Sequence, residues 1–152
     1  MPQWRVFADD SALTVKAAQT HAASDGEILK VLEPVRIATG ESDTGTVAGL
    51  DWVQVRNRLE QFRHLENDWD GQGSPPPDED VIGGAIRLAD SLAALDYPAP
   101  QAVVVGVNGT IYLEWNTADV YQEIEVTSGC AAECRRVDKR TRTVSSYQLR
   151  WC

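Results

Sequence analysis

Near residue 100 the apolar residues stop recurring every three to four positions and begin to alternate, and no other feature of the chain constrains its fold as strongly. Upstream, Trp52, Val55, Leu59 and Phe62 are separated by Gln54, Arg56, Asn57, Arg58, Glu60, Gln61 and Arg63. That is one apolar stripe on an amphipathic helix, expected over residues 50–66. A second stripe, Val81, Ile82, Ala85, Leu88, Ala89, Leu92 and Leu95, predicts a helix over 78–95. Asp78 is its expected N-cap, and Glu79 and Asp80 suit the positive end of its dipole. Gly83-Gly84 costs roughly 1 kcal/mol per glycine relative to alanine, a cost that close approach to another backbone would offset.

Downstream, residues 102–107 and 110–115 flank Asn108-Gly109, the preferred pair for a two-residue type I′ hairpin. In that register Ile111, Leu113 and Trp115 share a face with Val104, while Tyr112 and Glu114 take the other. A third strand alternates Val120, Ile124 and Val126 with Tyr121, Glu123 and Glu125, and residues 130–137 and 143–151 supply a fourth and a fifth. Runs of helix followed by runs of strand define an α+β fold. Its two helices are expected on one face of an antiparallel meander of four to five strands. The expected core is Trp52, Leu59, Phe62, Trp69, Ile82, Leu88, Leu92, Ile111, Leu113 and Trp115. Residues 1–48 read as an N-terminal arm or small subdomain, with a short strand at 4–7, modest helical character at 12–23 and an extended stretch at 28–37. The α+β domain follows over 49–152.

The segment Asn67-Asp68-Trp69-Asp70-Gly71-Gln72-Gly73-Ser74-Pro75-Pro76 precedes an apolar helix and, later, Gly109-Thr110-Ile111-Tyr112-Leu113-Glu114-Trp115. Over about residues 50–127 this resembles a group of small uncharacterised bacterial proteins that share a W-D-G-x-G loop before a helix and a strand ending in L-E-W. The resemblance implies a bacterial origin and a shared fold, and it carries no activity.

The same loop is the sharpest chemical candidate. An EF-hand calcium loop needs oxygen ligands at positions 1, 3, 5 and 12 and a glycine at 6. Counting from Asp68, this chain offers Asp68, Asp70, Gln72, Gly73 and Glu79 at those positions. Pro75-Pro76-Pro77 opposes that reading, because proline lacks the N–H with which such a loop pairs to a second one. A tight turn, in which Asp68 and Asp70 accept from nearby backbone N–H groups, is the competing expectation. Zinc is disfavoured, since Cys130 and Cys134 would lie roughly 13 Å apart in a strand. His21 and His64 stand in no nucleophile motif, and Gly71-Gln72-Gly73 lacks the strand and lysine of a phosphate loop. No cofactor and no catalytic residue is therefore expected, with calcium at Asp68, Asp70, Gln72 and Glu79 as the alternative.

The chain carries a net charge of −9, which argues against non-specific nucleic-acid binding. Within residues 133–152 six basic side chains face two acidic ones, a local balance of +4 that leaves −13 on the remainder. Such asymmetry suits an acidic partner surface, a second copy's included, or else a hairpin edge guarded by charge. The start of the chain lacks the apolar run of a signal peptide, no segment is apolar enough to span a membrane, and an odd number of late cysteines reads as reduced thiols. Together these features predict a non-enzymatic, cytoplasmic interaction protein, accessory or antitoxin- or immunity-like, whose partner is another protein. Tyr112, Tyr121, Arg135 and Arg136 are the candidate interface residues.

Overall fold

A computed structural model describes residues 5–8 and 49–151. The helical and extended stretches expected at 12–23 and 28–37 lie outside the described residues. Asp51 opens helix α1 (Trp52–Gln61) with a reciprocal cap: its carboxylate accepts from Gln54 N at 2.8 Å, and Gln54 Oε1 accepts from Asp51 N at 2.9 Å. A 3-10 turn at Phe62–His64 ends this segment, and Leu65 is already extended, so the helix stops short of residue 66. Helix α2 (Glu79–Ala94) starts, as expected, at Asp78, whose side chain accepts from Val81 N at 3.0 Å.

Six strands follow the order β1-β6-β5-β4-β3-β2, all neighbours antiparallel. The meander comprises β2 (Ala102–Val105), β3 (Ile111–Asn116), β4 (Val120–Ser128), β5 (Ala131–Asp138) and β6 (Thr143–Arg150). The arm contributes β1 (Arg5–Ala8), which pairs with β6. Both helices lie on one face of this sheet, against β2, β3 and β4. The fold is therefore the α+β arrangement read from the change of period.

The first hairpin differs from the expected type. Gly106 accepts from Gly109 N at 3.0 Å and donates to Thr110 O at 2.8 Å. Gly109 is left-handed at φ 75°, whereas Asn108 has no positive φ. The turn thus centres on Val107 and Asn108, with Gly109 as a following left-handed residue, a three-residue loop instead of a two-residue one. One extra loop residue moves every β2 side chain to the opposite face. Val103 opposes Leu113 and is 3% exposed, while Val104 opposes Tyr112 and is 38% exposed. Val103, not Val104, is the core residue of this strand.

Of the ten expected core residues, eight are buried, and Trp52 and Trp69 are half-buried. The two exceptions share a task with Trp115. Each indole N–H donates to a carbonyl in a proline-bearing turn: Trp52 to Tyr97 O at 2.8 Å, Trp69 to Pro75 O at 3.1 Å and Trp115 to Pro98 O at 2.8 Å. These turns cannot pair their own backbone regularly, because proline supplies no N–H. The tryptophans provide the missing donors while packing their rings.

Helix α2 meets the β4–β5 turn at Gly84. A Cβ there would stand 2.6 Å from Ser128 O and 2.8 Å from Gly129 Cα. The turn is held from both sides: Asp80 Oδ2 accepts from Gly129 N, and an Arg87 N–H donates to Gly129 O, both at 2.7 Å. The close backbone approach expected at Gly83-Gly84 is made by Gly84.

Candidate functional site

With the helices on one face, the other face of the sheet has no layer of secondary structure over it among the described residues. Strand register arranges its side chains in rows that run across the strands. One row is Val104, Tyr112, Glu125, Glu133 and Gln148; the next is Ala102, Glu114, Glu123, Arg135 and Ser146. A third brings Tyr121 beside Val137 and Val144. Two like-charged pairs therefore stand directly opposite, Glu114 against Glu123 and Glu125 against Glu133, an arrangement that costs stability. Tyr112, Glu123, Glu125, Glu133 and Arg135 line an open depression of about 280 Å³.

The tyrosines are hydrogen-bond donors here. Tyr121 Oη donates to Glu123 at 2.7 Å. Partial burial, then the Glu123 carboxylate, raises its pKa above the ordinary phenol value. Tyr112 shifts the same way through burial and then Glu125. Both phenols stay protonated at neutral pH. Arg135 reaches Glu123 at only 3.7 Å and is half-exposed, so the pair is a weak surface one.

Three of the four expected interface residues, Tyr112, Tyr121 and Arg135, thus share this face. Arg136 does not. Alternation along β5 turns it to the helix side, where it donates to Gln122 Oε1 at 3.4 Å. Gln122, fully buried, donates in turn to Tyr97 Oη at 2.7 Å. Arg136 belongs to a polar chain that satisfies a buried amide. The alternation that places the tyrosines outward also places Glu114, Glu123 and Glu125 beside them.

The Asp68–Glu79 loop has the geometry of a closed turn. Asp68, left-handed at φ 66°, donates its N–H to Ser74 O at 2.9 Å and accepts from Gly73 N at 2.6 Å. Asp70 accepts from Gln72 N at 2.9 Å and Ser74 N at 3.2 Å, and from the Ser74 hydroxyl at 2.5 Å. These bonds, the hydroxyl first, lower its pKa below the usual carboxylate value. Gln72 is exposed, and Glu79 forms an ion pair with Arg63. Among the described residues no group of three His, Cys, Asp or Glu is placed to hold a metal ion. The loop seats instead on the first hairpin, where a Cβ on Gly109 would stand 3.0 Å from Pro76 O. The segment that ends at Pro76 therefore meets the one that begins at Gly109.

The cysteines correct one expectation. Cys134 is a free thiol, buried on the helix side of β5, and burial pushes it up to about 12. Cys130 is disulfide-bonded instead of reduced, to a partner outside the described residues. The β5–β6 hairpin returns the chain end to this position, where Trp151 N donates to Cys130 O at 3.0 Å. Linear spacing does not reveal such a return. His64 is exposed at the end of the 3-10 turn, and His21 lies outside the described residues. No helix among the described residues is long and apolar enough to cross a membrane.

No family model, no curated protein and no solved structure matches this chain.

Proposed function

We propose that the chain is a non-enzymatic bacterial protein-interaction module, an accessory of the antitoxin or immunity kind, and that it docks through the outer face of its sheet. The observation that carries this reading is the composition of that face. Two outward tyrosines sit among four glutamates whose like charges oppose one another across the strands. Such pairs are a poor choice for stability and a useful one for recognition, since a partner's donors would relieve them. Tyrosine combines a broad apolar ring with a donor at its tip, which suits an interface anchor.

Affinity capture from the native host tests this directly. The tagged chain is compared with Tyr112→Ala/Tyr121→Ala and with Val53→Ser, a change of an exposed residue on α1. A protein retained by the parent and by Val53→Ser, and lost from the tyrosine variant, supports the reading, whether it is a different chain or a second copy. Equal retention by all three overturns the assignment of the outer face.

A further inference from the structure

The turn of the first hairpin sets a side-chain amide beside a nitrogen able to attack it. Of the four asparagines, Asn108 alone precedes a glycine; the others precede Arg58, Asp68 and Thr117. Glycine has no side chain, so its nitrogen can approach the preceding amide closely. Asn108 is exposed in the loop, whereas Gly109 is buried. Two contacts hold Gly109: its N–H donates to Gly106 O at 3.0 Å, and a Cβ on it would stand 3.0 Å from Pro76 O. The amide is open to water, and the nitrogen beside it is tied down.

We propose that Asn108 is a site of self-modification by deamidation, and that the loop at 68–77 keeps it shut while seated on the hairpin. Gly109 N attacks Asn108 Cγ, a bond forms between them, the Cγ–Nδ2 bond breaks, and ammonia leaves with the proton from Gly109. Water then opens the cyclic imide at either carbonyl. One opening gives aspartate. The other gives isoaspartate, in which the main chain runs through the former side chain. Attack requires the Gly109 N–H to leave Gly106 O and its peptide to turn toward Cγ. Pro76, packed on Gly109, opposes that turn until the loop lifts.

The gate is built from the closed turn. Asp70 accepts from Gln72 N, Ser74 N and the Ser74 hydroxyl, and Trp69 Nε1 donates to Pro75 O. The bonds that shape the turn therefore also deliver Pro76 to Gly109. Local openings of this kind span free energies below that of global unfolding, so the loop can lift while the core stays folded. Either product adds a carboxylate at residue 108. Isoaspartate also adds a backbone atom to a loop whose length fixes which of Val103 and Val104 faces the core. A transient lift of the loop thus becomes a permanent change of charge and of the edge strand.

The purified full chain is incubated at neutral pH, in buffer and in guanidinium chloride, and conversion of the Asn108 amide to acid is followed by peptide mass spectrometry. Asn57, Asn67 and Asn116 serve as internal references. Two variants are compared in buffer. Asp70→Ala loosens the turn, and Leu149→Ala empties a fully buried position on β6, away from the hairpin. Leu149→Val takes the place of the latter should it be unfolded in buffer. Conversion at Asn108 is expected in guanidinium chloride and should be slower in the folded parent, on the order of tenfold or more. Asp70→Ala should convert faster than the parent and faster than the Leu149 variant. A folded parent that converts as fast as the denatured chain overturns the inference, and so does an Asp70→Ala chain no faster than the parent. A Leu149 variant that matches or exceeds Asp70→Ala overturns it too, because the modification then follows global unfolding instead of the loop.

Discussion

The two faces of one sheet, built from the same strands, follow opposite rules. On the helix side Val103, Ile111, Leu113, Trp115, Ile124 and Val126 are all at or below 3% exposure. On the other side their immediate neighbours Val104, Tyr112, Glu114, Glu123 and Glu125 are exposed or half-exposed. Each β3 and β4 residue is assigned by alternation alone, so burial of one set leaves the other free for purposes besides stability. Even the inner exception obeys the rule of its face: Gln122 is buried, and its amide is paired on both sides by Tyr97 and Arg136. The outer face tolerates like-charged pairs because water still reaches them.

This contrast is most severely tested by Leu113→Ala. Leu113 is fully buried between β2 and β4, so its truncation should cost about 2–5 kcal/mol in denaturant unfolding. A loss below about 1 kcal/mol would remove Leu113 from the core and blur the distinction between the faces.

The inner thiol sharpens the comparison through pH. Burial raises Cys134 from 9.0 to about 12 in the folded chain. The unfolded thiol ionises first, so the folded state holds the extra proton between these values. Stability is intact below pH 9 and falls as pH rises towards 12, by about 1.4 kcal/mol per pH unit from this group. Cys130, being disulfide-bonded, does not contribute. The difference in slope between parent and Cys134→Ala, measured by unfolding across this range, isolates the effect from the tyrosines. Equal slopes would mean that Cys134 is accessible to solvent.

Gly84→Ala asks how tightly the inner side is closed. At an open helix position the change would gain about 1 kcal/mol. Here the new Cβ would stand 2.6 Å from a backbone oxygen in a turn held by Asp80 and Arg87. A net loss of about 1–3 kcal/mol is expected instead, read from the shift in the unfolding midpoint. A gain would show that the turn gives way.

The smallest effect belongs to the outer face. Glu133→Gln removes one member of the Glu125–Glu133 pair and should stabilise the dilute chain by about 0.2–1 kcal/mol. The gain should shrink with added salt. A loss of stability would mean that Glu133 holds a partner within the fold, and the outer face would no longer look spared for recognition.

How much of this was legible in the residues depends on how local each feature is. Both helices, the cap at Asp78 and the five meander strands follow from periods and turn residues that span a few positions. The outward placement of Tyr112 and Tyr121 follows the same way, from alternation. The register of the first hairpin does not. Asn108-Gly109 reads as a two-residue turn, and only the Gly106–Thr110 bond shows a loop one residue longer, which exchanges Val103 for Val104 in the core. The side of Arg136 and the use of the Asp68 and Asp70 carboxylates were likewise settled by neighbours in space: a buried amide at Gln122 and the backbone of a closed turn.

By itself, then, the sequence determined the order and type of the elements from Trp52 onward and, on β3 and β4, which residues point together. The tertiary structure decided what lies across from what: β1 beside β6, Gly84 against Gly129, Trp151 beside Cys130, and Glu114 opposite Glu123 and Glu125 opposite Glu133 on the outer face. Periodicity is a property of neighbours along the chain, whereas pairing partners are chosen by packing and hydrogen bonding among residues tens of positions apart.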